Sequence, residues 1–299
     1  MFLTGGVDVA TVGGRYMMVP ECRLLVLDID GTFLNRQKQV SPAVREAVLG
    51  VVSHGLPVAF ATGRMFEAIE HWVAELGFTT PQICNNGAEL VDPATGDRLS
   101  RRSLSVSTVR WLLEHNPGAD FATVLFSGSR VLAAGRHPAH ALLERNNEWV
   151  EVVPSEFLAG NDLQVEKLLY MTLDHCEALR TLRDDLNARA AHGEAVAFDA
   201  QISEEGILNF CHPQATKLNA IRQLCGRLGC DLDDVIAVGD GDNDAEILAA
   251  VGLGIAMGNA SEAARQAARI SVPDNDHDGL AAAVSEHVLP RISQGSLPR

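Results

Sequence analysis

The chain has 299 residues, 46% hydrophobic and 21% charged, with 24 lysines and arginines against 39 aspartates and glutamates for a net charge of −15. That length allows one or two domains with ample core, and the composition excludes a mostly disordered chain. The acidic balance, with no basic run, argues against a nucleic-acid backbone or an anionic membrane surface as partner, and no apolar run approaches the roughly 18 residues that cross a bilayer.

The start, MFLTGGVDVATVGGRYMMVPE, lacks a basic segment followed by a compact apolar one, so residues 1–20 read as a loose tail and not as a leader, with Met17 and Met18 as alternative starts. The first strand is expected in LLVLDI (24–29), the next in VAFAT (58–62). Between and after them, SPAVREAVLGVVSHG (41–55) and MFEAIEHWVAELG (65–77) space their apolar residues three and four apart, the pattern of amphipathic helices. Ser41-Pro42 reads as an N-cap followed by proline in the first turn, and Gly55 and Gly77 as helix stops.

The middle of the chain differs. LVDPATGDRL (90–99), FSGSRVLAAG (126–135) and FDAQISEEGILNF (198–210) are hairpin signals interleaved with two or three helices. The alternating pattern then resumes, with helices at TKLNAIRQLCGRLG (216–229) and NDAEILAAVG (243–252) and strands at VIAVGD (235–240), GLGIAMG (252–258) and ISVP (270–273). The expected fold is therefore α/β: a Rossmann-like parallel sheet core from residues 21–87 and 211–299, with an α+β domain inserted at 88–210. Six cysteines (Cys22, Cys84, Cys176, Cys211, Cys225, Cys230) form no CxxC pair. They read as buried small hydrophobes in a reducing cytoplasm.

The chemistry gathers where apolar runs end. In LLVLDIDGTFL (24–34), residues two apart on an extended segment share a side, so Asp28 and Asp30 are expected to converge. Two adjacent carboxylates repel unless a cation or a shared proton offsets them. In an open parallel sheet, ligands bind outside the carboxyl ends of the strands, and there the runs give way to Asp28, Thr62 and Asp240. A hard cation such as Mg2+ suits that oxygen-only set, with water and a phosphate completing its shell. Lys217 offers an ammonium to balance the carboxylates or grip a phosphate. Each feature alone has a plainer reading: a turn or cap for Asp28 and Asp30, a strand-to-helix turn for Thr62-Gly63-Arg64, a solvated helix-start lysine for Lys217. GDGDND (239–244) alone reads as an acidic turn or calcium loop, although the glycine and glutamate of an EF-hand are missing.

Taken together, DIDGT (28–32), ATGR (61–64), Lys217 and GDGDND (239–244) resemble, in order, the four motifs of the haloacid dehalogenase superfamily of phosphotransferases. ICNNGAELVD (83–92) and the segment from GLGIAMGNAS to DHDGLA (252–281) look like flanking segments of its Cof-type, type IIB cap branch of sugar phosphatases. The resemblance implies that Asp28 is the nucleophile and a metal ligand, and that Asp30 is the general acid/base and binds metal through its backbone carbonyl. Asp240 would complete the protein's ligands to Mg2+, and Asp244 would support Lys217 or the metal's waters. Ile29, Thr62, Gly63, Lys217 and Asn243 would hold the phosphoryl group, and Arg64, Asn86 and Glu89 are candidate substrate contacts or structural residues. The insertion at 88–210 would be the cap. Two positions depart from the branch: Leu218 stands where a glycine is usual, and Asn209 where an acidic residue often meets substrate. Both bear on substrate class more than on catalysis.

The implied activity is Mg2+-dependent hydrolysis of a small phosphorylated metabolite, sugar phosphates among them, through an aspartyl-phosphate. The alternatives are a phosphotransferase or mutase on the same scaffold, or a phospholigand-binding regulator without turnover.

Overall fold

The computed structural model describes residues 9–12, 15–18, 22–160, 162–191 and 196–292. The chain divides into two compact units, one of Met1–Phe60, Leu76–Phe78 and Cys225–Arg299, the other of Ala61–Glu75 and Thr79–Leu224. Of the N-terminal tail, Val9–Val12 and Arg15–Met18 pair as an antiparallel ladder, and the rest of residues 1–21 lies outside the described residues.

The first unit is built on five parallel strands in the order Ile270–Ser271, Leu253–Ala256, Val235–Gly239, Leu24–Leu27, Val58–Phe60. The central strands are buried at every residue, which is why LLVL and VIAVG are continuous apolar runs with no alternation. Helix Pro42–Ser53 starts as its sequence dictates: Ser41 Oγ accepts from Val44 N at 3.2 Å, Pro42 fills the first turn, and Val44, Val48 and Val51 form the buried stripe. Phe33, Phe60 and Phe78 meet with ring centroids 5.0 Å apart in each adjoining pair, which anchors the segment after the first strand in the core.

The second unit holds two antiparallel assemblies. Gln82–Cys84, Glu89–Val91 and Arg98–Arg101 form a three-stranded sheet. A six-stranded sheet runs in the order Val150–Val152, Arg130–Ala133, Ala122–Ser127, Lys167–Met171, Ile207–Cys211, Asp199–Glu204, with only its first pair parallel. Leu168 and Tyr170 on one strand, and Leu208 and Phe210 on the next, share one face at two-residue spacing. They cluster with Leu112 of helix Val106–Glu114 and Leu179 and Leu186 of helix Cys176–Ala191. Burial of each such side chain contributes about 1.5–3 kcal/mol. The hairpins expected at 90–99, 126–135 and 198–210 all form.

All six cysteines are free thiols and five are buried. Burial pushes Cys22, Cys211 and Cys225 up to about 12, the behaviour of small core hydrophobes and not of nucleophiles. Among the described residues, no helix is long and apolar enough to cross a membrane.

Candidate active site

In the first unit the chain leaves strand Leu24–Leu27 to one side for Val58–Phe60, and Val235–Gly239 lies on the other side. The order of strands therefore reverses between Leu24–Leu27 and Val235–Gly239, the place where open parallel sheets bind ligands. Asp28 follows the first of these strands and Asp240 the second. Asp28 N donates to Val238 O at 3.0 Å, extending the ladder by one residue, and the side chain is 8% exposed.

The chain then turns. Thr32 N and Leu34 N both donate to Ile29 O, at 3.3 and 2.9 Å, while Phe33 and Leu34 plug into the core. Ile29 is fully buried with its carbonyl so engaged. Gly31 takes φ +94° beside the Asp240 carboxylate, a conformation and an approach that no side chain permits.

Asp240 is held from both sides. Thr32 Oγ1 donates to its Oδ1 at 2.9 Å, and Asn259 Nδ2 donates to its Oδ2 at 3.1 Å and to Gly31 O at 2.9 Å. Asp244 Oδ2 accepts from Asp240 N at 3.0 Å and Gly241 N at 2.9 Å, so it folds the GDGDND turn around itself. One oxygen each from Asp28, Asp240 and Asp244 lies within 4.8 Å of the others, with Asp28 and Asp244 buried and Asp240 half-buried. Three carboxylates so close repel unless a cation or a shared proton offsets them, and the all-oxygen set fits a hard divalent cation.

Strand Leu24–Leu27 ends before Asp30, whose carboxylate meets Lys38 Nζ at 2.6 Å. The side chains that gather are Asp28, Asp240 and Asp244, the last of which the sequence placed only as a support. Asn243 lies exposed on the short turn Asp242–Asp244.

The second unit carries the remaining candidates. Thr62 is 1% exposed; its N donates to Ile83 O at 3.0 Å, its O accepts from Asn86 N at 2.9 Å, and its Oγ1 accepts from Arg64 N at 3.2 Å. Gly63 O accepts from Lys167 Nζ at 2.8 Å. Arg64 is buried against Asn146 and lies 5.5 Å from the Trp72 ring. Asn85, Asn86 and Gly87 take successive positive φ values of 49°, 56° and 91°, and a Cβ on Gly87 would lie 2.9 Å from Lys217 N. That turn sets Gly87 against the start of helix Lys217–Leu228, where Lys217 is 3% exposed. Glu89 is fully buried, with Arg98 Nε at 3.5 Å and Arg101 Nε at 3.8 Å. Burial, reinforced by Glu166, pushes its carboxyl up to about 7 against the pull of the two arginines.

Residues 25–284 match the family model of haloacid dehalogenase-like hydrolases. The chain belongs to that family. Pyridoxal phosphate phosphatase YbhA of Escherichia coli is 26% identical over 280 residues, covering 89% of this chain and 99% of that protein. The 5-amino-6-(5-phospho-D-ribitylamino)uracil phosphatase YitU of Bacillus subtilis is 25% identical over 268 residues, covering 88% and 97%. Among solved structures, a haloacid dehalogenase-like hydrolase from Bacteroides thetaiotaomicron is 26% identical with a TM-score of 0.78, covering 89% of this chain and 99% of that one. The haloacid dehalogenase-like chain described here is accordingly an enzyme of the phosphatase type.

Sequence reasoning passed over Thr32 and Asn259 as the groups that hold Asp240, although each stands inside a quoted segment. It also passed over Lys38, Asn146, Glu148 and Lys167, which carry no motif or periodic signal.

Proposed function

We propose that this haloacid dehalogenase-like enzyme is a Mg2+-dependent phosphomonoester hydrolase of the cytoplasm. Its substrates would be small phosphorylated metabolites of the sugar-phosphate kind, and the reaction would pass through an aspartyl-phosphate at Asp28. The observation that carries this reading is the cluster of Asp28, Asp240 and Asp244 oxygens at the reversal point of the parallel sheet. The relatives lend the substrate class: one is named for pyridoxal phosphate, another for a 5-phospho-D-ribityl compound.

Asp28 attacks phosphorus in line through its carboxylate oxygen, and water then cleaves the acyl phosphate. Asp30 gives a proton to the departing alkoxide and takes one from the attacking water, so its pairing with Lys38 has to yield during turnover. Asp28, Asp240 and Asp244, with the Asp30 backbone carbonyl, are the groups that would hold Mg2+. When bound, the ion would supply positive charge to the carboxylates and to a phosphoryl oxygen. Thr62, Gly63, Ile29, Lys217 and Asn243 take the phosphoryl oxygens in this reading. The 88–210 segment acts as a cap that chooses among leaving groups, because contacts to phosphate alone cannot.

A phosphate-release screen over phosphorylated metabolites with Mg2+, run both without and with an added acceptor, tests the proposal. Metal-dependent release of inorganic phosphate is the expected result. Transfer only to an added acceptor would replace hydrolysis by phosphotransfer, and tight binding of phosphate esters without turnover would replace it by a regulatory role.

A further inference from the structure

The loop Thr62–Met65 is gripped, within the second unit, by three side chains that come from far along the chain. Lys167 Nζ donates to Gly63 O at 2.8 Å, and Glu148 Oε1 accepts from Met65 N at 2.9 Å. Asn146 accepts from Arg64 Nη2 at 3.0 Å on its Oδ1 and from Nη1 at 3.3 Å on its carbonyl. Lys167 opens a strand whose other residues, LLYM, are apolar, and it is only 3% exposed. Burying an ammonium there costs several kcal/mol unless it is compensated. Its compensation is specific: the Phe126 ring 3.7 Å from Nζ, Glu148 at 4.0 Å, and the Gly63 carbonyl.

The direction of that last bond matters chemically. A trans peptide points its C=O and N–H opposite ways. With the Gly63 carbonyl turned to Lys167, the N–H of the same peptide, on Arg64, points the other way and donates to Thr62 Oγ1 at 3.2 Å. The Thr62 hydroxyl thereby spends a lone pair as acceptor and keeps its proton for another oxygen. The same arrangement keeps an electron-rich carbonyl from turning toward an anion held at Thr62 and Gly63.

We infer that Lys167, seconded by Glu148, is a positioning residue that sets the Gly63–Arg64 peptide, and through it the Thr62 hydroxyl, for phosphate. The inference rests on the phosphatase reading above. It ties a strand of the inserted segment to the phosphate-holding loop through one buried ammonium.

Lys167→Met keeps the length of the side chain and removes the charge and the donor. It should raise KM for p-nitrophenyl phosphate and the inhibition constant of inorganic phosphate by on the order of tenfold, as expected for one charge-assisted hydrogen bond. The Mg2+ concentration for half-activity should stay where it is in the parent, and Lys167→Arg should recover most of the phosphate affinity. Lower thermal stability with unchanged KM and unchanged phosphate inhibition would overturn the inference and leave Lys167 a structural residue. If Lys167→Met does not fold, Glu148→Ala approaches the loop from the other side: it should weaken phosphate inhibition too, and an unchanged inhibition constant there would equally overturn the proposal. A parent enzyme that releases no phosphate and binds none would fail the phosphatase reading itself. A parent that turns over, alongside an indistinguishable Lys167→Met, would fail the clamp alone.

Discussion

Gly31 lies so close to Asp240 that a Cβ at position 31 would stand 2.7 Å from Asp240 Cγ, and Asn259 bridges the two by donating to both Gly31 O and Asp240 Oδ2. The turn after the first strand and the third carboxylate are thus one piece of structure. Gly31→Ala must displace the carboxylate and also strain a backbone at φ +94°, a conformation that costs on the order of 1–3 kcal/mol for a residue with a side chain. Thermal unfolding should show that loss, and titration of activity with Mg2+ should show half-saturation at a higher concentration than in the parent. Parent-like metal affinity in a folded Gly31→Ala would contradict the placement of Asp240.

Asp240→Asn keeps the acceptor for Thr32 on one oxygen and removes a charge from the cluster of Asp28, Asp240 and Asp244. The fold should survive, because fewer like charges then crowd together, while activity falls strongly and half-saturation moves to higher Mg2+. Assays at low and high Mg2+ beside circular dichroism would check both parts. Unchanged activity at low Mg2+ would remove the metal assignment.

Glu89 gives the clearest dependence on pH. Its carboxyl is raised from 4.5 to about 7 by burial, so between those values the folded state keeps a proton that the unfolded state has lost. Its favourable contribution is complete below pH 4.5 and disappears as the pH rises to 7, at about 1.4 kcal/mol per pH unit. Glu89→Gln carries no such loss. Urea midpoints measured from pH 4.5 to 8 should fall less steeply for the variant than for the parent, and parallel curves would contradict the shift.

The parallel unit was legible because two-sided burial writes continuous apolar strands, and because Ser41-Pro42 states where a helix begins. Asp28 and Asp240 were legible for a related reason, since each stands at the end of such a run. For Asp30 the sequence showed the acid but not its partner. Lys38 takes φ +59° eight residues on and brings its ammonium back to Asp30, a closure that no periodicity announces. Lys167 was illegible because its partner, Gly63, is 104 residues away, and a lysine before four apolar residues reads as the solvated end of a strand.

The assignment of Asp28 as nucleophile and Asp30 as proton carrier makes opposite demands on the two steps of the reaction. Asp30→Asn cannot protonate a sugar alkoxide, so the first step should lose about 10²–10⁴-fold with a sugar phosphate, whereas p-nitrophenolate leaves as a stable anion and needs less help. The second step suffers with either substrate, since water still needs a base. Rapid-quench kinetics with p-nitrophenyl phosphate, read together with intact mass, is the most direct measurement. Asp30→Asn should show a burst of nitrophenol and a phosphorylated chain, and Asp28→Asn neither. Equal slowing of both substrates in Asp30→Asn without any covalent phosphate would contradict the assigned roles.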